Sequence, residues 1–121
     1  LIGSDGLPND VRPHPRLWGT FPRVIGHYAR DRSLFSLQTA IAKMTCQSAK
    51  TLGLANRGRI ATGMAADLVL FDPTTIADCA DYKSPDMPSA GISLVLVNGK
   101  TAWNNKELAG SGHGIVLRRD H

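Results

Sequence analysis

Gly58-Arg59-Ile60-Ala61-Thr62-Gly63-Met64-Ala65-Ala66-Asp67-Leu68-Val69-Leu70-Phe71-Asp72 is answered further along the chain by Leu94-Val95-Leu96-Val97-Asn98-Gly99-Lys100. The first stretch reads as a glycine turn, a short polar link and a buried strand. The second reads as a strand that ends in an Asn98-Gly99 hairpin turn, because this dipeptide accepts the positive φ that a two-residue turn between strands demands. Two short apolar runs separated by turn chemistry place a β layer at this end of the chain.

Working outward, strands are expected over Asp67–Phe71, Ser93–Val97, Thr101–Asn104 and Ile115–Arg118. Thr74–Ala90, bracketed and broken by Pro73, Pro85 and Pro88, is a connector. The other half of the chain has a different rhythm. Leu1-Ile2-Gly3-Ser4-Asp5-Gly6 reads as the end of a buried strand running into a turn. Residues 7 to 23 hold Pro8, Pro13, Pro15, Pro22 and Gly19 with little periodicity, which predicts a long irregular loop of the kind that carries function. Val24, Ile25, Tyr28 and Ala29 recur at helical spacing and predict a short helix over Pro22–Arg32. Ser36 is a good N-cap for a second helix with the stripe Leu37, Ala40, Ile41 and Met44. Ala49 and Leu52 fall out of that phase, so Thr45 is expected to break the helix and cap a third one ending at Gly53. A strand end, then helices, then a run of strands fits an α/β barrel's last β/α unit followed by a separate β layer. There are no internal repeats.

Fourteen Lys and Arg against ten Asp and Glu give a net charge of +4 over 121 residues. The basic residues are scattered, with only Arg118-Arg119 adjacent, where a nucleic-acid binder concentrates them on one face or in a run. The charge therefore reads as solvated surface, and no nucleic-acid partner is expected. Cys46 and Cys79 are too few and too far apart for a disulfide framework or a Cys-x-x-Cys metal site, and read as free thiols of a reducing compartment. No apolar run approaches the ~20 residues of a membrane span. A cytoplasmic location is expected, with export left open because the chain starts at Leu1 without an initiator Met and reads as a fragment.

Asp5 is the leading candidate for chemistry. It stands where a strand meets a loop, near Gly3 and beside Gly6, a position from which a carboxylate can face a pocket; an Asp among glycines also serves as a simple turn residue bonded to its own backbone. His14, held between Pro13 and Pro15, is placed for a substrate contact or for orienting a neighbour, or simply faces solvent. Arg12, Arg16 and Arg23 are cations able to grip a carboxylate bidentately, or to brace their loop. Trp18, Phe21 and Phe35 read as packing. His27, His113 and His121 show no ligand spacing. Asp67 reads as a turn or cap residue.

The Gly58–Asp72 and Leu94–Lys100 pair resembles the C-terminal signature of the amidohydrolase superfamily, metal-dependent hydrolases built on a (β/α)8 barrel with a small β-sandwich beside it. Gly3-Ser4-Asp5-Gly6, Arg12-Pro13-His14-Pro15-Arg16 and Trp18-Gly19-Thr20-Phe21-Pro22-Arg23-Val24 more narrowly resemble one branch, the N-acyl-D-amino-acid deacylases or D-aminoacylases. The likeness runs over essentially the whole chain. A barrel needs roughly 250 residues, so the resemblance implies the C-terminal part of such an enzyme: the last β/α unit over residues 1–56 and part of the β-sandwich over 57–121. It implies that Asp5 is the general acid/base at the end of the eighth strand; His14 and Arg12, from their places in the loop, are the expected substrate contacts.

The same resemblance implies zinc in the full-length enzyme, to activate water and polarise the amide carbonyl, and hydrolysis of a linear N-acyl-D-amino acid to a carboxylate and a free D-amino acid. The superfamily opens with a His-x-His pair and this branch adds a cysteine ligand. No His-x-His occurs here, and Cys46 lies in a helical stretch far from Asp5, so no metal ligand and no zinc is expected on this chain alone. Its expected partners are the small-molecule substrate and the rest of the barrel, with no membrane. Two other readings stand beside this one: another amidohydrolase acting on cyclic amides, like a hydantoinase or dihydroorotase, and a stand-alone β-rich interaction module without enzymatic activity. The loop from Arg12 to Val24 argues against the cyclic-amide enzymes.

Overall fold

The computed structural model describes residues 1–7, 9–105 and 107–118. Its elements are α1 (Arg16–Arg23), a π-helical segment (Val24–Asp31), α2 (Leu37–Met44), α3 (Cys46–Leu52), and the strands β1 (Leu68–Phe71), β2 (Ile92–Val97), β3 (Lys100–Asn104) and β4 (Glu107–Leu108). They fall into two compact units. One contains residue 1 with 42–71 and 92–121; the other contains 2–41 with 72–91. The connector between β1 and β2 thus groups with the first helices.

In the unit built on the strands, β1, β2, β3 and β4 form one antiparallel sheet in chain order. Leu68 stands opposite Leu96 and Leu70 opposite Leu94, with a register shift before Phe71. The Asn98-Gly99 turn is as expected: φ is 49° and 76° at the two residues, the left-handed pair of a type I′ hairpin. Asp67 fastens this turn, its carboxylate accepting the Asn98 backbone N–H at 2.7 Å and an ion pair from Arg57. Arg57 also donates to Asn98 Oδ1 at 2.8 Å. The turn role expected for Asp67 holds; its partner Arg57, ten residues away, carried no sequence signal.

Three expectations about strands are corrected. Residues 115–118 form no strand, and β4 instead lies at Glu107–Leu108, where Asn105 at φ 46° closes a tight return from β3. Leu68–Phe71 is a strand but not a buried one: Val69 and Leu70 are 54% and 60% exposed, because β1 is an edge of the sheet. Likewise Leu1–Gly6 adopts no strand; a barrel strand exists only between neighbours that hydrogen-bond to it, and the described residues supply none.

The other unit is organised around Ile76, only 2% exposed, with Val24, Ile25 and Ala40 as its further buried apolar residues. Gly26 meets Ile76 so closely that a Cβ there would sit 2.4 Å from the Ile76 carbonyl oxygen. The expected loop over residues 7 to 23 is helical from Arg16 onward. Pro15 has helical φ and ψ at the N-cap, and proline in a first helical turn sacrifices no hydrogen bond. Pro22 lies inside α1 and cannot donate to the Trp18 carbonyl four residues back. That carbonyl takes the Ser89 hydroxyl instead, at 3.0 Å.

After Pro22 the helix widens to π bonding, with Arg32 N–H donating to the His27 carbonyl at 2.9 Å. Ser36 caps α2 as expected, its Oγ accepting the Thr39 N–H at 3.1 Å. The break at Thr45 and the stop at Gly53, which is left-handed at φ 71°, are also as expected, although the Thr45 side chain makes no capping bond to α3. Among the described residues no helix is long and apolar enough to cross a membrane.

Candidate active-site loop

Asp5 has φ 50°, a left-handed backbone that Asp tolerates better than most residues. Gly6 lets the chain press onto α1: a Cβ there would lie 2.6 Å from Leu17 Cδ1 and 2.9 Å from Leu17 Cα. This contact brings the Asp5 carboxylate to the Arg16 guanidinium, where Oδ2 and the Nη2 atom are 2.9 Å apart, while the Asp5 side chain stays 83% exposed. The Nε atom of Arg16 is buried with no hydrogen-bond partner among the described residues.

His14 joins the same cluster. Its Nδ1 accepts the Arg16 backbone N–H at 3.0 Å, which satisfies one of the donors left over at the start of a helix. Its Nε2 lies 2.8 Å from the Tyr82 hydroxyl, and the two rings meet edge to face with centroids 5.1 Å apart. His14, Arg16, Thr20, Arg23, Asp78 and Tyr82 are among the residues lining a cavity of about 320 Å³.

Arg23 is engaged at its side: it pairs with Asp78 at 2.9 Å and lies over the Tyr28 ring. The hydrogen bond to Asp78, and secondarily that to Tyr28, push its guanidinium above its ordinary pKa. Arg12 stands outside the cluster, exposed, its N–H closing a small turn on Asp10 Oδ1 at 3.2 Å.

The arrangement therefore unites Asp5, Arg16 and His14 and adds Tyr82, which sequence reasoning missed. Tyr82 is 68 residues from His14 in a connector with no periodic pattern, so nothing local announced it. The helix that carries Arg16 had a readable signal: Pro15 followed by Leu17, Phe21 and Val24. Trp18 and Phe21, expected to pack, are exposed. Among the described residues no group of three or more His, Cys, Asp or Glu could hold a metal ion. Cys46 and Cys79 are free thiols. His121 and Arg119 lie outside the described residues.

A loop carboxylate thus pairs with a helix-borne guanidinium beside a cavity, and comparison with known proteins gives the family. The model of the amidohydrolase family matches residues 1–102; the chain belongs to this family. It is 56% identical over 119 residues to the D-aminoacylase of Alcaligenes xylosoxydans xylosoxydans, covering 98% of this chain and 25% of that protein. A crystal structure of a D-aminoacylase superposes with a TM-score of 0.95 at 55% identity, again over 98% of this chain and 25% of the other. An N-acyl-D-glutamate deacylase from Bordetella bronchiseptica, solved with zinc and a phosphonate inhibitor that mimics the tetrahedral intermediate, superposes at 0.90 with 49% identity over the same shares. The chain thus spans about a quarter of the length of the relatives it matches.

Proposed function

We propose that this chain is the C-terminal part of a zinc-dependent N-acyl-D-amino-acid deacylase, residues 1–56 ending its (β/α)8 barrel and 57–121 forming part of a small β-sandwich. The observation that carries the reading is the Asp5–Arg16 pair, held by Gly6 and the start of α1, in a chain 56% identical to a D-aminoacylase. A zinc site in such an enzyme draws on residues beyond this chain, because the described residues hold no cluster of three or more potential ligands. What this chain supplies is proton transfer and part of the substrate's grip.

Asp5 takes the proton of the attacking water as the amide carbonyl becomes tetrahedral. It then returns that proton to the amide nitrogen as the C–N bond breaks, releasing a carboxylate and a free D-amino acid. Such general acid/base catalysis contributes ~10²–10⁴-fold. Arg16, whose side chain is 41% exposed and lines the cavity, is suited to a second anionic contact, the carboxylate of the substrate. His14 extends the same grip beside Arg16, and Arg12, outside this cluster, is proposed as a more distant substrate contact from the exposed loop.

The test is Asp5→Asn in the intact enzyme. Asn is nearly isosteric but cannot cycle a proton, so kcat should fall by at least ~10²-fold with zinc content unchanged. His14→Ala should act mostly on KM. Near-normal kcat in Asp5→Asn would reduce Asp5 to a turn residue.

A further inference from the structure

We infer that Tyr82 is a positioning residue of this site, acting through His14 on the start of α1 and so on Arg16. The inference rests on the reading that the Asp5–Arg16 cluster is the active site. Both ring nitrogens of His14 are engaged, Nδ1 by the Arg16 N–H at 3.0 Å and Nε2 by the Tyr82 hydroxyl at 2.8 Å. An Nδ1 that accepts a hydrogen bond is unprotonated, so in the neutral ring the hydrogen sits on Nε2 and is donated to the phenol oxygen. The Arg16 N–H thereby fixes the tautomer, and the Tyr82 hydroxyl, by accepting from Nε2–H, holds the orientation of the ring. Without that hydroxyl the imidazole is free to turn and bring a carbon into the place of Nδ1. The first N–H of α1 then loses its acceptor, and the Arg16 side chain loses its fixed starting point opposite Asp5.

Tyr82 is itself held for this task. Asp81 Oδ1 accepts the N–H groups of Lys83 at 2.8 Å and Ser84 at 2.7 Å, and the Asp81 N–H donates to the Ser84 carbonyl at 3.1 Å. A closed turn of this kind presents the residue after the Asp outward in a set direction. Tyr82 is 81% exposed, so burial does not account for an aromatic side chain here, and removal of its hydroxyl threatens no core.

The experiment is steady-state kinetics of the intact enzyme on N-acetyl-D-leucine, or on whichever of a series of N-acetyl-D-amino acids is turned over fastest. Tyr82→Phe should raise KM about 3- to 10-fold, the worth of one hydrogen bond, with kcat within about twofold. His14→Asn keeps an acceptor for the Arg16 N–H but has no arm for Tyr82. In that background Tyr82→Phe should have no further effect on KM, because coupled residues are non-additive. An unchanged KM in Tyr82→Phe overturns the inference, as do effects that simply multiply in the double variant. A purely structural role would instead lower the melting temperature and leave KM alone. The underlying reading fails separately, through an Asp5→Asn enzyme of normal kcat, which leaves the Tyr82–His14 coupling readable.

Discussion

Asp5 combines a strained backbone with an ion pair. Left-handed non-glycine residues persist where the surroundings hold them, and they gather at functional sites. Gly6 and Arg16 are those surroundings. Asp72 is held by hydrogen bonds instead, with no strained backbone. Its Oδ1 accepts the Thr74 hydroxyl at 2.7 Å and the Thr74 N–H at 2.8 Å, and these bonds, the side-chain one foremost, hold its carboxyl below the ordinary Asp pKa.

A carboxyl depressed on folding contributes stability that is fully present above its unfolded pKa and is lost as the pH falls through the folded one. The turn that leads to Ile76 should therefore weaken only at acid pH. Asp72→Asn, whose amide oxygen still accepts but does not titrate, should make the intact enzyme less stable than wild type at neutral pH. The gap in melting temperature should be constant at neutral pH and narrow as the pH falls below about 5, towards and through the depressed folded pKa. A gap that stays constant with pH would remove Asp72 from the acid response.

At the level of elements, the helical run from Arg16 to Asp31 shows how a sequence dense in proline still makes helix. Pro15 costs nothing at the start, and Pro22 frees one carbonyl that Ser89 satisfies from 71 residues away. Ser89→Ala leaves the Trp18 carbonyl dependent on solvent and should cost the intact enzyme about 1 kcal/mol, measured by urea unfolding. Equal stability of the variant would mean that water replaces the hydroxyl at no penalty. Gly26 marks the other tight point, where α-helical bonding has widened and the backbone lies against the Ile76 carbonyl. The cap at Ser36, the break at Thr45 and the stop at Gly53 were legible because each depends on neighbours within a few residues. The start of α1 was obscured because Pro13, Pro15 and Pro22 look alike in sequence, although only their position relative to the helix decides what they do.

For the whole molecule, the exposed apolar side chains are the main physical clue. Val11, Ile60, Leu108 and Val116 lie open together with Val69 and Leu70 of β1, and the chain spans a quarter of its relatives' length. On the proposed function these groups meet the rest of the enzyme. Expressed alone, the 121 residues should carry no stoichiometric zinc after dialysis, by elemental analysis, and should hydrolyse no N-acyl-D-amino acid. They should also self-associate, because β1 leaves an edge unpaired. One tightly bound zinc per chain, or a sharp melt of a monomer independent of concentration, would contradict this.

The Asn98-Gly99 hairpin with the strands that flank it, the cap at Ser36, the break at Thr45, the stop at Gly53 and the likeness to the D-aminoacylase branch were determined by the sequence alone. Each rests on local turn and cap chemistry or on a contiguous motif. The partners of those motifs were decided only by tertiary structure: Arg16 for Asp5, Tyr82 for His14, Ser89 for Trp18, Arg57 for Asp67. The same is true of the strands, since pairing chose Glu107–Leu108 over Ile115–Arg118 and left Val69 and Leu70 exposed. Side chains ten to seventy residues apart meet because the backbone folds back on itself, and no spacing in the chain encodes that meeting.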